Sequence, residues 1–125
     1  MEIEVSRKNK KIRIPAKRVS LFGKFSGLMF RTKNTANLLF EFNKRTGTAI
    51  HSFFVFFPFL AVWLDDKNKI LEFKIVKPFT AFIKPAKLFN KLLEMPFNEK
   101  NMEKINFFVV KSSTRFHPSS VKRKI

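Results

Sequence analysis

The sequence contains no cysteine and no tyrosine, and only one tryptophan and three glycines in 125 residues. Without thiols it can build neither a disulfide framework nor a thiolate metal site, so a reducing compartment is compatible and the hydrophobic core must carry the fold unaided. No glycine-rich phosphate-binding loop is present, and Ser112, Ser113, Ser119 and Ser120 stand in no nucleophile context. The two histidines, His51 and His117, lie far apart and show no paired-ligand spacing, so neither a metal nor a cofactor is expected. No apolar run reaches the roughly 20 residues of a helical membrane span. The opening Met1-Glu2-Ile3-Glu4-Val5-Ser6-Arg7 lacks the apolar centre of a signal peptide, so a cytoplasmic protein without a membrane span is expected.

Acids are scarce as well: nine Asp and Glu face 26 Lys and Arg, a net charge of +17. Such a field attracts polyanions. Abundant Lys, Asn, Ile and Phe also suit an AT-rich coding bias, a second explanation of the same charge. A chain of this length can hide about two thirds of its unfolded surface and needs one core. One domain is expected over residues 1–110, followed by a basic, flexible tail over 111–125.

What is plentiful is phenylalanine, 18 residues, concentrated in the apolar stretch Ala49 to Asp65. Pro58 interrupts that stretch, so it reads as a central strand pair that bends or bulges there. Around it, Ile3 and Val5 alternate with acids and Ile12-Arg13-Ile14 alternates again, predicting two short strands or one hairpin. Val19, Leu21, Phe22, Phe25, Leu28 and Met29 recur at helical spacing after Pro15, predicting a helix over 16–29. Leu38-Leu39-Phe40-Glu41-Phe42 reads as a strand that pairs, across the turn at Asn43 to Gly47, with one beginning at Thr48. Asp65 and Asp66 mark a further turn before the strand Ile70 to Val76, and Pro78 and Pro85 bracket a loop. Leu88 to Glu94 reads as a strand, Glu99 to Lys104 as a short helix capped by Asn98, and Ile105 to Val110 as a closing strand.

Four signatures in order resemble a known family. They are Gly27-Leu28-Met29-Phe30-Arg31, Leu38-Leu39-Phe40-Glu41-Phe42, His51-Ser52-Phe53-Phe54 with Pro58 and Leu64-Asp65 after it, and Leu93-Glu94-Met95-Pro96. Together they resemble DUF192, an uncharacterised family widespread in archaea and bacteria, over residues 11–110. The resemblance implies a mainly β, α+β domain, a small antiparallel barrel-like β structure with one N-terminal helix and a short C-terminal helix, and no established reaction. It marks Arg31, His51, Asp65 and Glu94 as the retained polar motif positions. It also exposes departures: relatives carry Met at Val55, a polar or basic residue at Phe56, Asp at Leu60, and Ala-Gly at Phe97-Asn98. With period-two alternation, Phe54, Phe56 and Leu60 would form one apolar face suited to a protein partner or a homo-oligomer.

The residues favour a non-enzymatic binding protein over an enzyme, and no catalytic site is assigned. RNA or a ribonucleoprotein is the expected partner. Its candidate contacts are Arg7, Lys8, Lys10, Lys11, Arg13, Lys17 and Arg18 at one end and Lys122, Arg123 and Lys124 at the other. Lysine acts as a point charge on phosphate, which points to backbone contact without sharp sequence choice. The alternatives are a small-molecule or enzymatic site in the barrel mouth near His51, and an oligomerising structural protein.

Overall fold

The structure, a computed structural model, describes residues 1–19, 28, 31–52 and 54–109. In chain order these form strands β1 (Glu2–Arg7), β2 (Lys10–Pro15), β3 (Lys17–Val19), β4 (Leu38–Thr46), β5 (Phe59–Leu64), β6 (Ile70–Val76) and β7 (Phe89–Pro96), followed by helix α1 (Met102–Val109). The fold is mainly β, as expected, but the barrel is not there. The strands make an open five-stranded sheet of order β3-β4-β7-β5-β6 and a separate two-stranded sheet of β1 and β2.

Strand β5 shows why the sheet is built this way. All six of its residues are buried, because alternate side chains enter two different cores. Leu60, Val62 and Leu64 join Leu39, Leu93 and Met95 on one face. Phe59, Ala61 and Trp63 join Leu38, Phe40, Phe89 and Leu92 on the other. A strand covered on both faces needs no polar alternation, which accounts for its unbroken apolar run. The first face is covered by the β1–β2 hairpin through Ile3, Val5 and Ile14, and by α1 through Ile105 and Phe108. The second is covered by Leu28, Val55, Phe57 and Ile83, none of which lies in a strand or helix.

Several expectations are corrected. The helix expected over 16–29 does not begin: Lys17, Arg18 and Val19 pair in parallel with Leu38, Leu39 and Phe40. The remainder of that segment, apart from Leu28, lies outside the described residues, as do Val110 and the tail expected to be flexible. The strand predicted from Ala49 exists only from Phe59; Pro58 cannot donate to a ladder, and Phe54 has a left-handed backbone, φ 62°. Consequently β4 pairs with β7 rather than with residues after Thr48, where Ile50 makes only an isolated bridge to Ile83. The segment expected to close the sheet from Ile105 is helical instead. Ile105 and Phe108 are three residues apart and fully buried, a helical spacing concealed within a run that also suits a strand.

Candidate functional site: a basic hairpin and an aromatic loop end

The hairpin turns at Lys8, whose φ of 56° is a left-handed conformation suited to a two-residue β-turn. One face of the hairpin inserts Ile3, Val5 and Ile14 into the core, so the turn itself must project into solvent. Lys8, Lys10 and Lys11 are exposed there, and no ion pair or side-chain hydrogen bond engages their ammonium groups among the described residues. The arginines behave differently. Arg7 donates from Nη1 to the carbonyl of Phe108 at 3.0 Å, and its guanidinium lies 5.1 Å from the Phe73 ring centre. A cation at the C-terminal turn of α1 suits the helix dipole, so Arg7 fastens helix to hairpin. Arg13 pairs with Glu4 at 3.7 Å and Arg18 with Glu41 at 2.7 Å. Lys17 is exposed at the start of β3. Of the candidate basic contacts, Lys122, Arg123 and Lys124 lie outside the described residues.

The polar motif positions divide between the two ends of the sheet. Asp65 ends β5, where its Oδ1 accepts hydrogen bonds from the amides of Lys67 and Lys69, both at 2.8 Å; this is a turn role. Glu94 lies opposite Ala61 on the neighbouring strand, four residues from Asp65 and hence roughly 13 Å away along an extended chain. Arg31 and His51 are exposed in the loops at the other end of the sheet. Arg31 donates from Nη1 to Thr35 Oγ1 at 3.3 Å. Among the described residues no group of three or more His, Asp or Glu is gathered for a metal.

Glu94 is unusual in another way. Directly opposite it stand Leu38 on β4 and Ala61 on β5, so its side chain shares the loop-covered face with them. It is 6% exposed. Desolvation there pushes the carboxyl from 4.5 up to about 8, so the group is largely neutral at physiological pH. On the same face the indole Nε1 of Trp63 is buried with no hydrogen-bond partner among the described residues.

At the Arg31 and His51 end, two loops are locked together by one serine. The amide of Ser52 donates to the Thr80 carbonyl at 2.8 Å and its carbonyl accepts from Phe79 at 2.9 Å. Its hydroxyl donates to the Lys77 carbonyl at 2.7 Å and accepts from the Thr80 amide at 2.6 Å. Ile50 and Ile83 exchange two further backbone bonds, each 2.8 Å. This lattice holds Phe79 at φ 59°, as it does Phe54 at 62°. A bulky residue in that region costs about 1–3 kcal/mol, which the surrounding bonds must offset. The reward is that Phe54, Phe56, Phe79 and Phe82 stand 50–70% exposed, with Phe56 and Phe79 edge to face, centroids 5.4 Å apart. The apolar face expected from Phe54, Phe56 and Leu60 is therefore not one face. Leu60 is fully buried on the hairpin side of the sheet; the ring against Phe56 is that of Phe79, and Phe82 is exposed three residues further along the same loop.

A third feature lies between hairpin and helix. A cleft of about 290 Å³ is lined by Met1, Pro15, Lys17, Asn37, Asn98, Lys100 and Asn101 among others. Its floor is three buried asparagines. The amides of Asn37 and Asn101 bond each other at 3.1 and 2.7 Å, Asn37 Nδ2 reaches the Pro15 carbonyl and Asn101 Nδ2 the Pro96 carbonyl. Asn98 caps the turn before α1 by accepting from the Asn101 amide at 3.0 Å. Each side-chain nitrogen is satisfied, so the trio reads as a structural knot joining hairpin, β4 and α1. Sequence reasoning named Asn98 as a cap but missed the loop-locking role of Ser52, the exposure of Phe79 and Phe82, and the Asn37–Asn101 pair. The available signal for the loops was that residues 42–64 and 73–93 contain no acid.

No protein-family model matches the sequence, and no curated protein matches it. Two solved structures share the fold. One is a protein of unknown function from Novosphingobium aromaticivorans DSM 12444, 13% identical with a TM-score of 0.67, the match spanning 82% of this chain and 76% of the other. The second is a proposed transcription regulator from Sinorhizobium meliloti 1021, 15% identical with a TM-score of 0.66, spanning 82% and 81%. At these identities the likeness concerns the fold alone. No described helix is long and apolar enough to cross a membrane.

Proposed function

We propose that the chain is a non-enzymatic cytoplasmic binding protein of the DUF192 type that holds RNA, alone or within a ribonucleoprotein, against its basic hairpin. The observation that carries this reading is the turn of β1 and β2, where Lys8, Lys10 and Lys11 are exposed with no partner among the described residues, while Arg7 is bonded to α1 and Arg13 and Arg18 are held in surface ion pairs. Lysines of this kind neutralise phosphates without reading bases. The family reading rests on the four sequence signatures, three of which lie on neighbouring strands: Leu38 of one stands opposite Glu94 of another, and Pro58 immediately precedes the strand that pairs with Pro96.

The test is fluorescence anisotropy of a labelled single-stranded RNA and a labelled duplex across a salt series. Affinity should fall by a log–log slope of about 0.7 to 0.9 for each phosphate neutralised. Replacing Lys8, Lys10 and Lys11 together with Gln should reduce affinity at least about 10-fold and lower that slope by about 2. An unchanged slope removes the hairpin as the contact. Replacing Lys122, Arg123 and Lys124 with Ala tests the other basic end in the same way.

A further inference from the structure

The basic hairpin does not account for the aromatic loop end. Four phenylalanines that could have been buried are displayed at 50–70% exposure, two of them from left-handed backbone positions. The serine lattice that fixes them would be pointless around a disposable surface. Lys77 and Lys84 flank the group, two residues before Phe79 and two after Phe82, and both are exposed. Acids are absent from 42–64 and from 73–93, the two segments that contain these loops. The patch is thus apolar at its centre with lysines flanking it in sequence, and Glu72, just outside these segments, accepts from the Ala86 amide at 2.8 Å and pairs with Lys74.

The geometry points to an anionic phospholipid surface as the occupant of this patch, with the Phe56, Phe79 and Phe82 rings entering the interface and Lys77 and Lys84 meeting the headgroups. Three observations select it. Phe56 and Phe79 are edge to face, 74° between ring planes, so they form a wedge rather than the flat platform on which successive bases stack. Between Phe73 and Phe89 the only polar side chains are lysines and Thr80. The Thr80 hydroxyl is bonded to the Lys77 carbonyl at 2.8 Å, so little remains to read a base edge. A second copy of this chain would bring Lys77 and Lys84 against like charges on a molecule of net charge +17, whereas phosphatidylserine complements them. Apolar insertion and headgroup attraction then add, as they do for surface-bound proteins that do not span the bilayer.

Phe82→Trp reports insertion directly, because Trp63, the natural tryptophan, is buried and contributes a constant background. Its emission should shift to the blue on vesicles of phosphatidylcholine containing about one-third phosphatidylserine, and much less on phosphatidylcholine alone. In vesicle sedimentation, joint replacement of Phe56, Phe79 and Phe82 with Ser should lower partitioning by about 100-fold or more. Lys77→Gln and Lys84→Gln should lower it by about 5-fold each. The triple phenylalanine variant should retain hairpin-dependent RNA binding, so failure here is distinct from failure of the RNA reading. Unshifted emission on anionic vesicles, or partitioning insensitive to the phenylalanines, overturns the proposal. So does loss of single-stranded RNA binding, or of a dimer in sedimentation, caused by the phenylalanine substitutions while vesicles leave the protein unbound.

Discussion

The two faces of the five-stranded sheet are covered in opposite ways. On one, the hairpin and α1 lay alternating or helically spaced apolar side chains against Leu39, Leu60, Val62 and Leu93. On the other, the described cover is Leu28, Val55, Phe57 and Ile83 from irregular segments, and beneath it sit a desolvated carboxyl, Glu94, and the indole nitrogen of Trp63, which has no hydrogen-bond partner among the described residues. Regular cover hides most of the apolar area beneath it, leaving Ile75 opposite Leu60 half exposed, and the polar groups it buries are asparagines bonded to one another. Loop cover displays aromatic rings beyond it. The first arrangement serves stability, and the second leaves side chains available for other work.

The contrast breaks most visibly under truncation. Leu93→Ala on the hairpin face removes a fully buried side chain between rigid layers and should cost about 3–5 kcal/mol in urea unfolding. Val55→Ala on the loop face should cost about 1 kcal/mol, because irregular cover can collapse into the space. Equal losses would mean that the loops are as rigid as the helix.

A pH series sharpens the comparison next. The folded pKa of Glu94 lies above its unfolded value, so between pH 4.5 and about 8 the folded state holds the proton more tightly than the unfolded one. Stability from this group is therefore complete below pH 4.5 and is lost as pH rises through about 8, by roughly 5 kcal/mol. Glu94→Leu should abolish that slope and make the protein more stable than the parent at pH 8, measured by thermal or urea unfolding. A parent whose stability does not fall over this interval would show the carboxyl to be solvated or paired.

A modest effect belongs to the loop lock. Ser52→Ala removes the hydroxyl that joins Lys77 and Thr80 and should cost about 1–2 kcal/mol in global stability. It should also raise proteolytic nicking between residues 77 and 84 while leaving the hairpin intact.

The sequence was legible where one periodicity had one consequence. The β1–β2 hairpin, β4, β6 and β7 follow their alternation or their apolar runs closely, and Asp65 occupies the turn its position suggested. It was illegible where two structures share a pattern. Ile105 to Val109 is apolar enough for a strand, yet burial of Ile105 and Phe108 on the helix's core face decides the matter. Lys17 to Val19 continues a helical spacing, yet parallel pairing with β4 captures it. Phe54, Phe56 and Leu60 share a period of two, but Pro58 and the left-handed Phe54 break that period before Leu60 enters the core. Long-range partners, invisible in local pattern, settled each case.

Amide hydrogen exchange of the free protein, of the protein with single-stranded RNA and of the protein with anionic vesicles tests this division most directly. RNA should slow exchange around residues 6–13, vesicles should slow it over 52–57 and 77–84, and β5, β7 and α1 should respond to neither. One common footprint for both ligands, or protection spread evenly over the sheet, would contradict it.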